Sequence, residues 1–404
     1  MNILFQSRYQ YPLIESGGLG IVVYELMKEL PSHCAKLEHW TWDSHTSTST
    51  EIITGMVGHG PIADVSVPDP RLSLLFDLEL TNLSMIKRYA LPTFDFDLVH
   101  AHTWEVSLAA VIAKYLRKIP LVYTTHDIMK NDAHDELNET ADIYEHGVLC
   151  EKIMMSEADR IVAVSEENRD ILLGFYPEVA SKTVVIPNGV DTRTFRPEAA
   201  ATTYNDLEPG YLLFIGRTVP SKGIETVVSM LDYIDEDVQI VFAFSTKRWD
   251  GEKHPKADEY CEMIEMLRRR RPRTKLIINE WRRHVVAGLY ANASITLAPS
   301  KYEPCGMVAM EAQACATPVI TNSIGFMKDS VQSGVNGVLL DTDPEDPSYP
   351  KVMADAVVSL MKDPTVLKRM GLSSRSSVVD SHSWSARAEK HAELYQELIL
   401  GNAS

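Results

Sequence analysis

Two carboxylates stand eight residues apart where a predicted strand meets a predicted helix. The stretch KYEPCGMVAMEA, residues 301–312, follows the apolar run SITLAPS and is itself rich in helix-forming residues. Pro304 favours an extended residue before it or the first turn of a helix, so Glu303 is predicted on the connecting loop and Glu311 inside the helix. A carboxylate can accept paired hydrogen bonds from neighbouring hydroxyl groups, which is a natural way to hold a sugar or a ribose.

The start of this predicted helix offers backbone groups to the same ligand. The N–H groups of Cys305, Gly306, Met307 and Val308 lack partners within the helix and carry a partial positive charge. Gly306 has no Cβ and therefore allows close approach. On spacing alone, however, a capping glutamate followed by an exposed helical glutamate explains the pattern equally well.

Three further groups follow predicted strands. Arg217 and Lys222, in IGRTVPSKGIE, could neutralise a diphosphate leaving group, although two solvated cations are the alternative. Gly18 and Leu19, in SGGLG, could present backbone amides to a diphosphate, although a glycine pair alone is more often a turn. His126, in YTTHD, lies at another strand end, where a lone histidine is usually structural.

Metal-binding patterns are weak. His100 and His102 are two residues apart, but no further ligand cluster accompanies them. Asp95 and Asp97 form a D-x-D pattern that leads directly into the strand of DLVHAH, so we interpret them as a turn. The sequence predicts no metal site.

The elements that position these residues alternate between short apolar strands and longer helical segments. Proline, glycine and small polar residues cluster at 187–210, which is typical of a linker. We therefore predict two α/β domains, 1–195 and 205–385, with an amphipathic C-terminal helix at about 386–402. Doubly wound sheets bind ligands beyond the carboxyl ends of their strands. The predicted strands are NILFQ, 97–101, 120–125, 160–164 and 183–187 in the first half, and 211–216, 238–244, 275–279, 294–299, 317–321 and 337–341 in the second.

Composition excludes several classes of protein. The chain has 404 residues, 45% of them hydrophobic, and a formal net charge of −17. That charge disfavours nucleic acid and anionic lipid as partners, and the run 267–275, LRRRRPRTK, is better explained as a solvated helix end than as an anion-docking patch. Five cysteines without zinc-type spacing indicate reduced thiols, and no signal peptide or membrane span is predicted. We expect a cytoplasmic protein.

The motifs together resemble a known family. SGGLG, HAHTW, TTHD, IPNGVD, IGRTVPSKGIE and EPCGMVAME occur in the order found in the retaining glycosyltransferases of family 4, which have the GT-B fold. HAHTW and KYEPCG are similar to the glycogen and starch synthases. The resemblance covers nearly the whole chain and implies two Rossmann-like domains facing a central cleft, with the C-terminal helix crossing back to the first domain.

The resemblance also implies roles for individual residues. The nucleotide-sugar donor would be held mostly by the second domain and a sugar-containing acceptor by the first. Gly18 and Leu19 would meet the diphosphate, Arg217 and Lys222 would bind its charge, and His126 would lie beside the anomeric carbon. The donor sugar would contact Glu303 and the amides of 305–308, and the ribose would contact Glu311. Transfer would proceed with retention, without a cofactor or a metal ion.

Some positions depart from the family pattern. Glu15 and Ser16 replace the lysine with which starch synthases help to bind ADP, so we expect UDP rather than ADP or GDP on the donor. Trp281 stands where the family lines the base pocket with a smaller residue, and core packing is an equal alternative. The loop from Ser245 could fit a particular donor or act as a lid. Phe326 and Lys328 have no assigned role.

Two other functions use the same motifs. A nucleotide-sugar 2-epimerase would need acid and base carboxylates that the sequence does not display. A catalytically silent nucleotide-sugar-binding subunit would not need the E-x7-E glutamates together with Arg217 and Lys222. The sequence therefore predicts a hexosyltransferase, and it does not identify the acceptor, the linkage or the oligomeric state.

Overall fold

The computed structural model describes residues 1–8, 17–42, 49–53, 56–59, 70–131, 141–202, 204, 207–247, 253–280 and 282–402. The strands, numbered β1 to β14 in chain order, are Asn2–Ser7, Lys36–Trp42, Ser49–Ile53, Met56–His59, Leu98–His102, Leu121–Thr125, Arg160–Ala163, Thr183–Val185, Tyr211–Arg217, Ile240–Ser245, Thr274–Ile278, Ala293–Ala298, Val319–Asn322 and Gly337–Leu340. The helices, α1 to α13, are Gly17–Glu29, Pro70–Tyr89, Ser107–Arg117, Ala141–Glu157, Glu166–Phe175, Ile224–Met230, Ala257–Arg270, Arg283–Asn292, Met307–Ala314, Met327–Ser330, Tyr349–Met361, Pro364–Ser381 and Trp384–Asn402.

These elements form two sheets with helices packed against them. The first sheet has the order β3-β4-β2-β1-β5-β6-β7-β8, and the second has the order β11-β10-β9-β12-β13-β14. All neighbouring strands run parallel except β3 and β4. Parallel strands covered on both faces read as continuous apolar runs, and the central strand β6 is buried throughout.

The chain divides into two compact units. The first contains Met1–Pro187 and Trp384–Ser404, and the second contains Asn188–Ser383. The segment predicted as a linker thus lies in the second unit from Asn188 onward, and its Phe195 is buried in that unit's core. No helix in the described ranges is both long and apolar enough to cross a membrane.

Helix α13 returns to the first unit, as predicted. It packs against α1, and the Tyr395 hydroxyl lies 2.7 Å from His100 Nδ1 in the middle of the first sheet. Both residues are fully buried. The helix is therefore anchored by a polar contact as well as by its apolar face.

In each sheet the strand order reverses next to the first strand of the unit. In the second sheet β10 and β11 follow β9 on one side, while β12 lies on its other side. The first sheet has the same arrangement, with β1 between β2 and β5. Such reversal points leave a crevice at the carboxyl ends of the two strands, where ligands bind in open α/β sheets. The loops after β9 and β12 carry Lys222 and Glu303.

The prediction missed three strands near the N-terminus. The predicted set has no strand between NILFQ and 97–101, yet β2, β3 and β4 all lie between them. β2 reads KLEHWTW, with charged and aromatic residues in place of a continuous apolar run, and β3 and β4 form a short antiparallel edge. These strands lack the continuous apolar run by which buried parallel strands are recognised, so the sequence gives them only a weak signal.

Loss of the Tyr395 hydroxyl should destabilise the protein. In Tyr395→Phe the buried His100 Nδ1 loses its partner, and we expect the free energy of unfolding to fall by about 1–3 kcal/mol in urea denaturation. Tyr115→Phe is the matched control, because Tyr115 is 63% exposed and its hydroxyl donates to Glu157 at the surface. Equal stabilities of the two variants would show that the Tyr395 contact does not anchor α13.

Candidate functional site

An ion pair joins the two loops at the reversal point of the second sheet. Lys222 Nζ donates to Glu303 Oε2 at 2.7 Å, and the two side chains are only 16% and 12% exposed. Ser300 Oγ lies 3.5 Å from the same carboxylate oxygen. The structure thus brings together two residues that are 81 positions apart in the sequence.

The charge state of Glu303 follows from its neighbours. Burial would raise the pKa of its carboxyl group, but the Lys222 ammonium, the Gly306 amide and the charge of Arg217 outweigh burial and hold the pKa below its ordinary value. Glu303 is therefore a carboxylate across the physiological range. Its Oε1 accepts from the Gly306 N–H at 3.2 Å, so the side chain is tied to the residue that immediately precedes α9.

Glycines hold the Glu303 loop in its conformation. Gly306 precedes α9 with φ of 63°, and a Cβ there would lie 3.0 Å from Phe326 Cδ1. Gly325 has φ of 50°, and a Cβ there would lie 1.9 Å from the Glu303 carbonyl oxygen. Phe326 is 1% exposed. Phe326, which had no role assigned from the sequence, therefore packs against the Glu303 loop and supports it.

The Lys222 loop is fixed against the end of β12. Gly223 has φ of 70°, and a Cβ there would approach the Pro299 carbonyl oxygen to 2.3 Å. The Lys301 N–H donates to the Ser221 carbonyl at 2.7 Å. Backbone contact on both sides of Lys222 limits how far its ammonium can move from Glu303.

Glu311 has a separate partner on α8, the helix that precedes α9 in the chain. It lies inside α9, as predicted, and Tyr290 Oη of α8 donates to its Oε2 at 3.2 Å. Burial and the nearby Glu311 carboxylate raise the pKa of Tyr290 well above its usual range, so the hydroxyl remains a donor. Glu303, on the loop before α9, and Glu311, inside α9, therefore have different hydrogen-bond partners.

In the first unit, His126 is paired with His102. It follows β6, is 7% exposed, and its Nε2 lies 3.0 Å from His102 Nδ1. Burial lowers the pKa of His126 to about 3, so the imidazole is neutral. A neutral ring can exchange hydrogen bonds with a ligand without placing a positive charge beside it.

A buried carboxylate positions the loop that follows His126. Glu151 Oε2 accepts from the Met129 N–H at 2.6 Å, and Oε1 accepts from Tyr176 Oη at 2.8 Å. Burial raises the pKa of Glu151. Sequence reasoning missed this residue because Glu151 sits in a helix, far from any motif, and carries no pattern of its own.

The histidine and aspartate motifs that were considered as metal ligands have hydrogen-bond partners within the protein. His100 is held between Tyr395 Oη and Thr124 Oγ1, both at 2.7 Å. Asp95 and Asp97 accept from the side chain and the backbone N–H of Asn2, at 3.1 and 2.7 Å. All three side chains therefore have structural partners.

The remaining predicted residues are described only in part. Gly18 and Leu19 lie in the first turn of α1, in the first unit. Trp281 lies outside the described residues. Ser245 ends β10, and its carbonyl accepts from the Thr218 N–H at 3.0 Å, so the start of that loop is tied to the loop after β9.

Two family models match the chain almost end to end. Glycosyltransferase Family 4 matches residues 16–194, and Glycosyl transferases group 1 matches residues 196–376. The chain belongs to glycosyltransferase family 4. The predicted family is confirmed, and the protein is a glycosyltransferase that uses a nucleotide sugar.

Individual relatives extend this result. The glycosyltransferase is 29% identical to the alpha-maltose-1-phosphate synthase of Mycobacterium tuberculosis, across 98% of this chain and 100% of the relative. The structure resembles sucrose-phosphate synthase from Thermosynechococcus elongatus, with a TM-score of 0.77, 23% identity and 99% of both chains covered. It also resembles Anabaena Alr3699/HepE in complex with UDP-glucose, with a TM-score of 0.70, 18% identity and coverage of 98% and 100%. These likenesses confirm the predicted GT-B fold.

Substitutions of the two glutamates of this glycosyltransferase should change different kinetic constants. Glu311→Ala should mainly raise the KM for the donor, because ribose hydroxyls are the same in ground state and transition state. On the roles that the family resemblance implies, Glu303→Gln should lower kcat, because its carboxylate would face a sugar ring that gains positive charge as the bond breaks. Steady-state kinetics of both variants and calorimetry with the free nucleoside diphosphate check this.

Calorimetry separates the two orientations of the donor. Glu303→Gln should retain affinity for the bare nucleoside diphosphate, and Glu311→Ala should lose it. The reverse result would mean that the ribose lies at Glu303 and the sugar at Glu311.

Proposed function

We propose that the protein transfers a hexosyl unit from a UDP-sugar to a hydroxyl group of a sugar-containing acceptor, with retention of anomeric configuration and without a metal ion. The Lys222–Glu303 ion pair at the start of α9 carries this proposal. It places a cation and an anion beside the backbone amides at the start of α9, and a nucleotide sugar offers complementary groups to all three.

Each group has a part in the proposed reaction. Lys222 and Arg217 stabilise the charge that grows on the departing diphosphate, which is the largest kind of catalytic contribution. Glu303 and the amides of 305–308 hold the sugar, and Glu311 holds the ribose. The Lys222 ammonium is already oriented by Glu303, so little reorganisation accompanies donor binding.

Retention follows from attack on the face that the leaving group vacates. The bond from the anomeric carbon to the diphosphate oxygen breaks, and the acceptor oxygen bonds to the same face of that carbon. The acceptor proton passes to the departing phosphate oxygen, so the reaction needs no nucleophile from the enzyme. Because His126 is neutral, it would not add a second positive charge beside the sugar ring, which itself becomes positive as the bond breaks.

Two features favour uridine as the base. Glu15 and Ser16 occupy the place of the lysine that helps starch synthases to bind ADP. The similarly folded Anabaena protein was crystallised with UDP-glucose.

The names of two similar proteins indicate which acceptors to test. Alpha-maltose-1-phosphate and sucrose phosphate are both phosphorylated sugars. Sugar phosphates should therefore be compared with their unphosphorylated counterparts, for example glucose 1-phosphate with glucose. An acceptor that works only in the phosphorylated form would identify a phosphate subsite.

Transfer should survive removal of divalent metal, since Lys222, Arg217 and the start of α9 supply the charge that a metal would supply. The purified chain should be treated exhaustively with EDTA and assayed with UDP-, ADP- and GDP-sugars. Product NMR should show the donor's anomeric configuration. Complete loss of activity that only Mn²⁺ or Mg²⁺ restores would contradict the metal-independent mechanism.

The same assay addresses the other candidate functions. A silent subunit would neither transfer nor hydrolyse any donor, and an epimerase would change the sugar without an acceptor. An inverted product would exclude retention while leaving the donor site intact.

A further inference from the structure

Three potential metal ligands meet between α2 and α4, outside every motif discussed above. Glu79 projects from α2, while His146 and Cys150 lie one turn apart on the same face of α4. His146 Nε2 lies 2.9 Å from Glu79 Oε1 and 3.4 Å from Cys150 Sγ. One ligand atom from each residue falls within 4.8 Å of the other two.

The surroundings suit a bound ion that enters from solvent. Cys150 is 6% exposed and belongs to an apolar cluster with Leu78, Trp104, Met129 and Ile143. The Trp104 ring meets the His146 ring edge-on at 5.9 Å. By contrast, the side chains of His146 and Glu79 are 25% and 34% exposed. The site therefore has a dry, packed wall behind the sulfur and an open side at the carboxylate.

Two of the three ligand-to-ligand distances approach those of a tetrahedral zinc site, and the third, from Cys150 Sγ to the Glu79 carboxylate, is within 4.8 Å. Zinc binds thiolate sulfur at about 2.3 Å and imidazole nitrogen or carboxylate oxygen at about 2.0–2.2 Å. Tetrahedral angles then separate sulfur from nitrogen by roughly 3.5 Å and nitrogen from oxygen by roughly 3.3 Å. The sulfur-to-nitrogen distance of 3.4 Å already fits, and the nitrogen-to-oxygen distance of 2.9 Å has to widen by a few tenths of an ångström.

We propose that Glu79, His146 and Cys150 bind one Zn²⁺ ion, with water as the fourth ligand, and that this ion joins α2 to α4. A set of one sulfur, one nitrogen and one carboxylate oxygen favours zinc over Mg²⁺ or Ca²⁺, which prefer oxygen ligands. The ligands bind in deprotonated form, so any proton on the Cys150 sulfur or His146 Nε2 is released to solvent. Among the described residues, this is the one group of three or more His, Cys, Asp or Glu side chains close enough together to share a metal ion.

The proposal does not depend on the transferase reaction. None of the three residues belongs to the predicted donor site, and the ion would play no part in the departure of the diphosphate. Its expected effect is on the packing of α2 against α4, beside Met129 and Trp104 in the loops after β6 and β5. The competing explanation is a hydrogen-bonded triad in which the imidazole bridges the carboxylate and the thiol.

Cobalt is the probe, because Co²⁺ adopts zinc geometry and is coloured. The chelator-treated full-length protein should bind one equivalent of Co²⁺ with the visible bands of tetrahedral cobalt and a near-ultraviolet band from thiolate-to-cobalt charge transfer. Zn²⁺ should bleach both. Cys150→Ser should abolish the charge-transfer band, and Glu79→Gln should weaken binding by more than the roughly 10- to 100-fold that loss of a residue orienting a metal ligand costs.

Two variants serve as matched controls. Cys261→Ser removes a half-buried thiol of α7, and Glu145→Gln removes an exposed carboxylate next to His146. Both should keep the wild-type spectrum and affinity. If Cys150→Ser does not fold, Glu79→Gln still tests the site, because its side chain is partly exposed.

Three results would overturn the proposal. One is a folded wild-type protein that binds no Co²⁺, which would leave the hydrogen-bonded triad as the explanation. Another is a cobalt spectrum without the thiolate band, and the third is a band that persists in Cys150→Ser or disappears in Cys261→Ser. No sugar nucleotide enters the measurement, so failure here would be distinct from failure of the transferase assay.

Discussion

Lys222 and Glu303 are largely withdrawn from water, and each needs the other's charge. Removing one partner of a buried pair leaves an uncompensated charge, which typically costs about 3–5 kcal/mol. The loops after β9 and β12 must therefore stay together, and backbone contacts from Gly223 to Pro299 and from Lys301 to Ser221 keep them so. This contact between the two loops also places a cation beside a carboxylate at the point where the strand order reverses.

Gly306 and Gly325 are required for the same reason, which is that their conformation and surroundings leave no room for a side chain. Gly306 and Gly325 both have positive φ; a Cβ at Gly306 would press against Phe326, and one at Gly325 would overlap the Glu303 carbonyl oxygen. Phe326 packs against Gly306, and the Glu303 carboxylate accepts a hydrogen bond from the Gly306 N–H. The start of α9 is thus held from several directions, which is how a rigid scaffold pre-organises a site for charge that develops in a transition state.

Local sequence patterns predicted the secondary-structure elements of this site and the positions of its two glutamates. Strand and helix alternation gave the two sheets, and the spacing of Glu303 and Glu311 placed one glutamate on the loop and one in the helix. Contacts between segments that are far apart in the chain have no comparable pattern in the sequence. The packing role of Phe326 and the support of Met129 by Glu151 depend on neighbours that come together only in the fold. The same holds for Glu79, which lies 67 residues from His146.

A double-mutant cycle on the ion pair tests most directly whether Lys222 and Glu303 act as one unit. The free energy of unfolding should be measured in urea for the wild type, Lys222→Met, Glu303→Gln and the double variant. Each single change strands a charge, so the double variant should be more stable than the sum of the single effects predicts, by a coupling energy of about 1 kcal/mol or more. Strictly additive effects would show that the two side chains are independent neighbours, and the organisation of the donor site would have to be explained without their pairing.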